Sequence, residues 1–343
     1  IAVTTSGGTA TGPTFTVTTV TTLPTVVRGA YMVCPTSSSI NIQWRTDVAS
    51  NSEVKYGTTS GSLTNTVNNT SSVTEHTIRL TGLSPNTKYY YSVGVIGTSI
   101  QSGSNNYFYT APLDTTTQTN RFWVTGDFGN NSTNERNTLT AFNNYNTDVN
   151  NPAKAWIWLG DNAYSNGTDA EYQTNVFNVY GNLFQKLPTL PELGNHDYGQ
   201  VGYQSSAALG TNFPYFNIFA IPTNSTTEKY YSTNYGNVHF IGLDSYGSLN
   251  SSSSTMYTWL QNDLATNTLP WVVVYWHHAP YTKGSHNSDT ETELIDMRTN
   301  INPLLEQYGV DLVLCGHSHI YERSKLPTRD DGLHYFELLS DRW

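Results

Sequence analysis

The sequence predicts an α/β domain preceded by an all-β sandwich. Up to about residue 113, short alternating stretches recur with turn residues between them, which is the pattern of strands without helices. From Arg121 onward, apolar strands alternate with longer polar-apolar segments of helical period. Nearly every strand of that second region also ends in a side chain of metal-ligand type.

Composition sets the frame. The 343 residues correspond to roughly two domains at about 150 residues each. With 37% hydrophobic and 13% aromatic residues, including 24 Tyr and 8 Trp, the chain has enough apolar material for packed cores despite its many Ser, Thr and Asn. Twenty-six acidic against 16 basic side chains give a net charge of −10, which disfavours sequence-independent nucleic-acid binding. No segment approaches the roughly 18 uninterrupted apolar residues of a spanning helix, so no membrane partner is expected. Cys34 and Cys315 are too few for a disulfide framework, and Cys315, closing the apolar run Leu312–Leu314, reads as an inert buried thiol.

The elements follow in order. Residues 1–25 are Thr-rich and uncharged and read as a linker or first strand, without the basic start and apolar centre of a signal peptide. Residues 26–113 form the sandwich: Ile40, Ile42 and Trp44 alternate, and further strands are expected at Ser52–Thr58, His76–Leu80, Lys88–Gly97 and Tyr107–Thr110. Within LSPNTKYYY, residues Leu83, Pro85, Thr87 and Tyr89 match a corner in which a Tyr hydroxyl bonds back to nearby backbone. That segment resembles a fibronectin type III module. Residues 114–120, DTTTQTN, are a polar linker, and 121–343 form the α/β domain. There, strands are expected at RFWVTGD, AWIWLGD, NVHFIGLD, PWVVVYWHH and VDLVLCGH, with helices near 134–148, 169–185 and 290–308. SLNSSSST, from Ser248 to Thr255, reads as a surface loop, and LHYFELLSDRW as a source of one closing strand.

The chemistry sits at the strand ends. GDFG carries Asp127; GDNAY carries Asp161 and Tyr164; GNHD carries Asn195, His196 and Asp197; WHHAPY carries His277 and His278; GHSH carries His317 and His319. Ligands of open α/β sheets bind just beyond the carboxyl ends of strands, so distant loops can converge on one site. The glycines before Asp127, Asp161, Asn195 and His317 permit the tight turns that deliver side chains there. Carboxylate, imidazole and phenolate donors together suit a pair of first-row transition ions, which can clamp both the attacking and the leaving oxygen of a displacement at phosphorus. A lone Gly-Asp pair is usually a turn, whereas such residues on five successive strand ends are not what independent turns produce. His277 and His278 differ in parity on a strand, so one faces the site and the other away.

The ordered series GDxG, GDxxY, GNH(D/E), His-x-Pro and GHxH resembles the calcineurin-like metallophosphoesterases, and within them the purple acid phosphatases, over almost the whole chain. The resemblance implies a four-layer αββα catalytic domain behind a fibronectin-like one. It implies an acid phosphatase that hydrolyses small phosphate monoesters directly, with a metal-bound hydroxide as nucleophile. It further implies Fe(III) held by Asp127, Asp161, Tyr164 and His319, and a divalent Fe, Zn or Mn held by Asp161, Asn195, His278 and His317. His278 is preferred over His277 because it stands in His-Ala-Pro, which leaves Tyr275 where the family's VxxH motif has Val. His196 resembles the phosphate-contacting histidine and candidate general acid, and His286 in KGSH is a second candidate for substrate contact.

Two other functions remain open. Phosphodiester or nucleotide hydrolysis could use the same two ions, and a surface or carbohydrate-binding protein could use the sandwich alone. Low charge and sequons such as Asn166-Gly167-Thr168 point to a secreted, periplasmic or cell-surface location. The oligomeric state is left open.

Overall fold

The computed structural model describes residues 2–11, 22–148, 150–203, 209–247, 250–323 and 338–339. β1 (Ala2–Thr5) and β2 (Gly8–Thr11) pair as a small antiparallel hairpin. The N-terminal β domain then comprises β3 (Val26–Val33), β4 (Ile40–Gly57), β5 (Asn65–Leu80), β6 (Lys88–Val95), β7 (Thr98–Gln101) and β8 (Tyr107–Tyr109). The first half of β4 pairs with β3, its second half with β6, and β5 runs along both, all antiparallel. The alternation of Ile40, Ile42 and Trp44 directs these side chains into a core with Val54, Ile78, Leu80, Tyr91, Val93 and Phe108. The expected corner is present: the Tyr89 hydroxyl accepts the Ser84 N–H at 3.0 Å.

The α/β region is layered helix, sheet, sheet, helix. β9 (Phe122–Thr125), β10 (Ala155–Trp158) and β11 (Thr189–Leu190) run parallel. The second sheet holds β12 (Tyr231–Tyr235), β13 (Val238–Gly242), β14 (Trp271–His278), β15 (Leu312–Gly316) and β16 (Leu338–Leu339), parallel except for the β12 edge. Strand parity assigns the faces: Tyr275 and Leu314 join the core between the sheets, while Val274, Trp276, Val313 and Cys315 face the outer helices. On the opposite side, Trp156 and Trp158 pack against Tyr180 and Phe184 of the helical run that begins at Asp169.

All three expected helices are found, at Thr133–Tyr145, across 169–184 and across 292–308, the last two each containing a π-helical turn. The helix Thr255–Thr266 and strand β12 were not anticipated. The helix had a readable signal in its Ser254 N-cap and in Met256, Leu260 and Leu264 at every fourth position, which all lie buried. Residues 248–249 of the expected loop and most of LHYFELLSDRW lie outside the described residues; β16 supplies the closing strand.

The two regions share more than the 114–120 segment. Thr189 of β11 pairs in parallel with Val33 of β3, and the Cys34 N–H donates to the Thr189 carbonyl at 3.0 Å, so one sheet runs through both. Arg28 has no exposed side-chain surface and meets Asp169 at 3.0 Å and Gln173 at 3.0 Å. Arg45 grips the same Asp169 through both terminal nitrogens, at 2.5 and 2.6 Å. These are charge-assisted, bidentate bonds at the first turn of the 169–184 helix. The Arg45 and Arg28 hydrogen bonds overcome the effect of burial and hold the Asp169 carboxyl at about 2, below its ordinary 3.8. The folded state therefore binds fewer protons than the unfolded one, and this stabilisation is present above pH 3.8 and lost as pH falls toward 2. Asp169→Asn should lower Tm by about 2–4 °C at pH 7, and the gap to the parent should close between about pH 4 and pH 2 in thermal scans; an equal gap at both ends would refute the pairing.

Candidate metal centre

β9, β10, β11, β14 and β15 all point their carboxyl ends at one place, and the loops there bring two acids face to face. Asp127 and Asp161 each follow a strand by two or three residues and are almost fully buried. Asp127, Asp161, His317 and His319 all take positive φ, at 55°, 51°, 74° and 49°. Such backbone costs about 1–3 kcal/mol per residue and persists only where surrounding contacts enforce it. Gly160 itself takes a φ of 83°, whereas Gly126, Gly194 and Gly316 act through clearance rather than through their own φ. A Cβ on Gly194 would sit 2.1 Å from Asp161 Oδ1, and one on Gly316 would sit 2.6 Å from Asp127 Oδ2.

Around the acids the contacts close into a cluster. Asp127 Oδ2 accepts the His317 N–H at 2.9 Å, and its Oδ1 lies 3.1 Å from the Tyr164 hydroxyl and 3.2 Å from His319 Nε2. Tyr164 Oη is also 3.1 Å from His319 Nε2 and 3.5 Å from Asp161 Oδ2. Asp161 Oδ1 accepts the His196 N–H at 2.8 Å. Its Oδ2 lies 3.1 Å from His277 Nε2, which in turn is 3.2 Å from Asn195 Oδ1 and 3.1 Å from His317 Nδ1. Ligand atoms of Asp127, Asp161 and His277 lie within 4.8 Å of one another, and so do those of His277, His278 and His317.

These residues fit a cation pair. Two buried carboxylates, an amide oxygen and facing imidazole nitrogens present a surplus of lone pairs in a space that excludes water, a distribution that positive charge relieves. The same pull acts on protons: burial opposes charge on His277, but Asp161 and Asp127 outweigh it and raise the imidazole to about 9. Burial and then the same two carboxylates push the Tyr164 phenol far above its usual range, so phenolate forms there only beside a cation. His317 is driven the other way, by burial and by its histidine neighbours, and stays a neutral donor.

Comparison with known proteins gives the same reading. Residues 120–321 match the family described as calcineurin-like phosphoesterase. The chain belongs to that family. Residues 30–111 match the purple acid phosphatase N-terminal domain, which places it on the purple acid phosphatase branch. Purple acid phosphatase 15 of Arabidopsis thaliana is 30% identical over 75% of this chain, and the probable purple acid phosphatase 20 of the same plant is 31% identical over 83%. The chain spans 51% and 66% of those two relatives' lengths. A purple acid phosphatase from yellow lupin seeds superposes with a TM-score of 0.72 at 17% identity, covering 91% of this chain and 64% of that one. The shared fold is thus a metallophosphoesterase domain behind an N-terminal β domain.

Against the family's motif, one residue moves. The sequence placed His278 in the cluster and left His277 out, whereas the structure sets His277 against Asp161, Asn195 and His317. The reason is parity: His277 shares the face of Tyr275, which points between the sheets toward the loops of β9 and β10. His278 stands alongside, its Nδ1 at 2.8 Å from the Ser245 hydroxyl and its ring stacked on Tyr246, where a register shift after Trp276 breaks the alternation. Counting from His277 also restores the family's Val, as Val274, so the apparent departure at Tyr275 disappears. That spacing was the signal available in the sequence.

The remaining candidates sit at the rim. His196 lies 3.7 Å from Asp161 Oδ2 through Nε2, with its ring against Tyr164. His286 stacks on His317 at 3.7 Å between ring centroids and bonds through Nδ1 to Glu291 at 2.7 Å. Glu291 carried no signal in the sequence, because its approach to His286 and His317 depends on how the loop after β14 folds back. Asp197 lies behind the cluster and accepts from Asn162, Gly194 and the Tyr172 hydroxyl, tying two loops to a helix.

His277→Ala should weaken cation binding by more than about 100-fold, and His278→Ala by about 10-fold, as expected for a flanking partner. Calorimetric titration with elemental analysis checks this, and the reverse ranking would return His278 to the centre.

Proposed function

We propose that the chain hydrolyses small phosphate monoesters, using a cation pair held by Asp127, Asp161, Tyr164, Asn195, His277, His317 and His319. The convergence of Asp127 and Asp161 with the Tyr164 phenol and three imidazoles supports this reading most directly. A phenol between two carboxylates favours a hard trivalent ion such as Fe(III) on the Asp127, Tyr164 and His319 side. The side lined by Asn195, His277 and His317 suits divalent Fe, Zn or Mn. When bound, the ions would supply Lewis acidity to water and to the phosphoryl oxygens.

The chain's own groups do the rest. Asp161, placed between the two halves, is the group suited to bridging. His196 Nδ1 lies 2.6 Å from the Ser165 carbonyl, which assigns the proton to Nδ1 and turns Nε2 toward the site. As the imidazolium, with a second proton on Nε2, the ring can release that proton to the departing alkoxide while Nδ1 keeps its bond to Ser165. His286, backed by Glu291, would meet the outer phosphoryl oxygens. We also place the protein outside the cytoplasm, on its low charge and on the exposed sequon asparagine Asn166. Among the described residues, no helix is long and apolar enough to cross a membrane.

With the metals loaded, phosphate release from a phenyl monoester should exceed that from the matching diester. Asn195→Ala should abolish most of it, and His196→Ala should slow an alkyl monoester by about 100-fold. Strong diester preference would assign the site to phosphodiesters; full activity in Asn195→Ala would remove the proposal.

A further inference from the structure

Among the described residues, the N-terminal β domain contributes no side chain to the metal cluster, yet two of its arginines, the buried Arg28 and the partly exposed Arg45, end on the helix that borders it. Asp169, which takes both Arg28 and Arg45, is the first residue of the helical turn Asp169–Glu171. Two residues on, Glu171 closes a reciprocal cap with Thr168: its N–H donates to Thr168 Oγ1 at 3.2 Å, and its Oε2 accepts the Thr168 N–H at 3.0 Å.

Glu171 does more than cap. Its carboxylate also accepts the Ser165 N–H at 2.6 Å and the Asn166 N–H at 3.1 Å, so three amides of the loop after Tyr164 end on one side chain. Asn175, one turn further along the same helix, donates to the Tyr164 carbonyl at 2.8 Å. The loop lies directly on the histidine segment. Gly167, at φ 58°, has no room for a side chain, since a Cβ there would meet Asp197 Cα at 2.6 Å and the His196 carbonyl at 2.8 Å. From this loop the Ser165 carbonyl reaches His196 Nδ1, and Gln200 Nε2 donates to the same carbonyl at 2.7 Å.

We propose that Asp169 and Glu171 are positioning residues for His196: the N-terminal domain's Arg28 and Arg45 fix the helix start, Glu171 fixes the loop, and Ser165 orients the imidazole. The path is continuous in hydrogen bonds and backbone contact from one domain to the rim of the site. It assigns the β domain a role in the reaction that needs no ligand of its own. The kinetic part rests on the acid role given to His196 above; the structural part does not.

The experiment has two arms. Hydrogen exchange on the metal-free protein reads the loop directly: Glu171→Ala should expose the Ser165, Asn166 and Thr168 amides, Glu171→Gln should restore part of their protection, and Asp169→Asn should raise exchange in the same loop. On the metal-loaded enzyme, a series of monoesters of rising leaving-group pKa reads the proton. Glu171→Ala should slow alkyl phosphates by about 10-fold while leaving a nitrophenyl ester within about twofold, with KM little changed. Unchanged exchange in Glu171→Ala overturns the clamp. Raised exchange with a uniform loss across all leaving groups overturns the link to His196. Lower Tm in Asp169→Asn without raised loop exchange reduces the arginine grip to stability alone. If His196→Ala keeps the parent's leaving-group dependence, the acid role itself has failed, and the exchange arm still decides the clamp.

Discussion

Two carboxylates, Asp127 and Asp161, are buried within reach of one another, and the surrounding structure answers that constraint. Like charges removed from water repel strongly and are tolerated only with compensating positive charge close by. Within the chain the nearest compensating group is the His277 imidazole, whose proton affinity the two carboxylates raise, with the Tyr164 hydroxyl and His319 alongside. A cation pair would take over that task, and a proton held there would have to leave for it to bind. The left-handed backbone at Asp127, Asp161, His317 and His319 shows the cost of the arrangement, and the cross-loop bonds from His317 and His196 to the two acids show what enforces it.

The fold supplies the precision. Parallel strands β9, β10, β11, β14 and β15 end on the same side of two packed sheets, so residues nearly two hundred positions apart, such as Asp127 and His317, come within a hydrogen bond. The aromatic layer of Trp156, Trp158, Tyr180 and Phe184 holds the first sheet to its helices, and interiors packed in this way deform little. Behind the loops, Asp197 joins Asn162, Gly194 and Tyr172. The N-terminal domain enters the same mechanical unit through the Val33–Thr189 pairing and the Asp169 grip, which makes it a buttress rather than a tethered module.

Tyr164 and His277 carry the chemical distinction of the site. A phenol held against two carboxylates is a poor proton donor and an apt ligand for a highly charged ion, which separates this cluster from phosphoesterase sites without a tyrosine. His277 is poised by its Nδ1 bond to the Leu159 carbonyl at 2.8 Å, which leaves Nε2 to the acids and to Asn195. Such a second contact fixes ring orientation in metal-binding histidines generally. Strand alternation could not rank it over His278, because both histidines sit at a strand end where the alternation breaks, and the one signal along the chain was the spacing from Val274.

What the amino-acid order determined by itself was local: the strands and their turns, the tyrosine corner at Tyr89, most helices, and the set of strand-end residues whose chemistry suits metal ions. Those follow from short-range periodicity and from residue types that have few other reasons to stand at the end of an apolar strand. Tertiary structure decided what depends on facing and distance: that His277 rather than His278 meets Asp161, that Glu291 backs His286, that β3 and β11 share a sheet, and that Arg28 and Arg45 reach the helix beside the site. Apart from the Val274 spacing that points to His277, none of these could be seen along the chain, because each arises between segments whose relative placement is set by packing rather than by sequence neighbours.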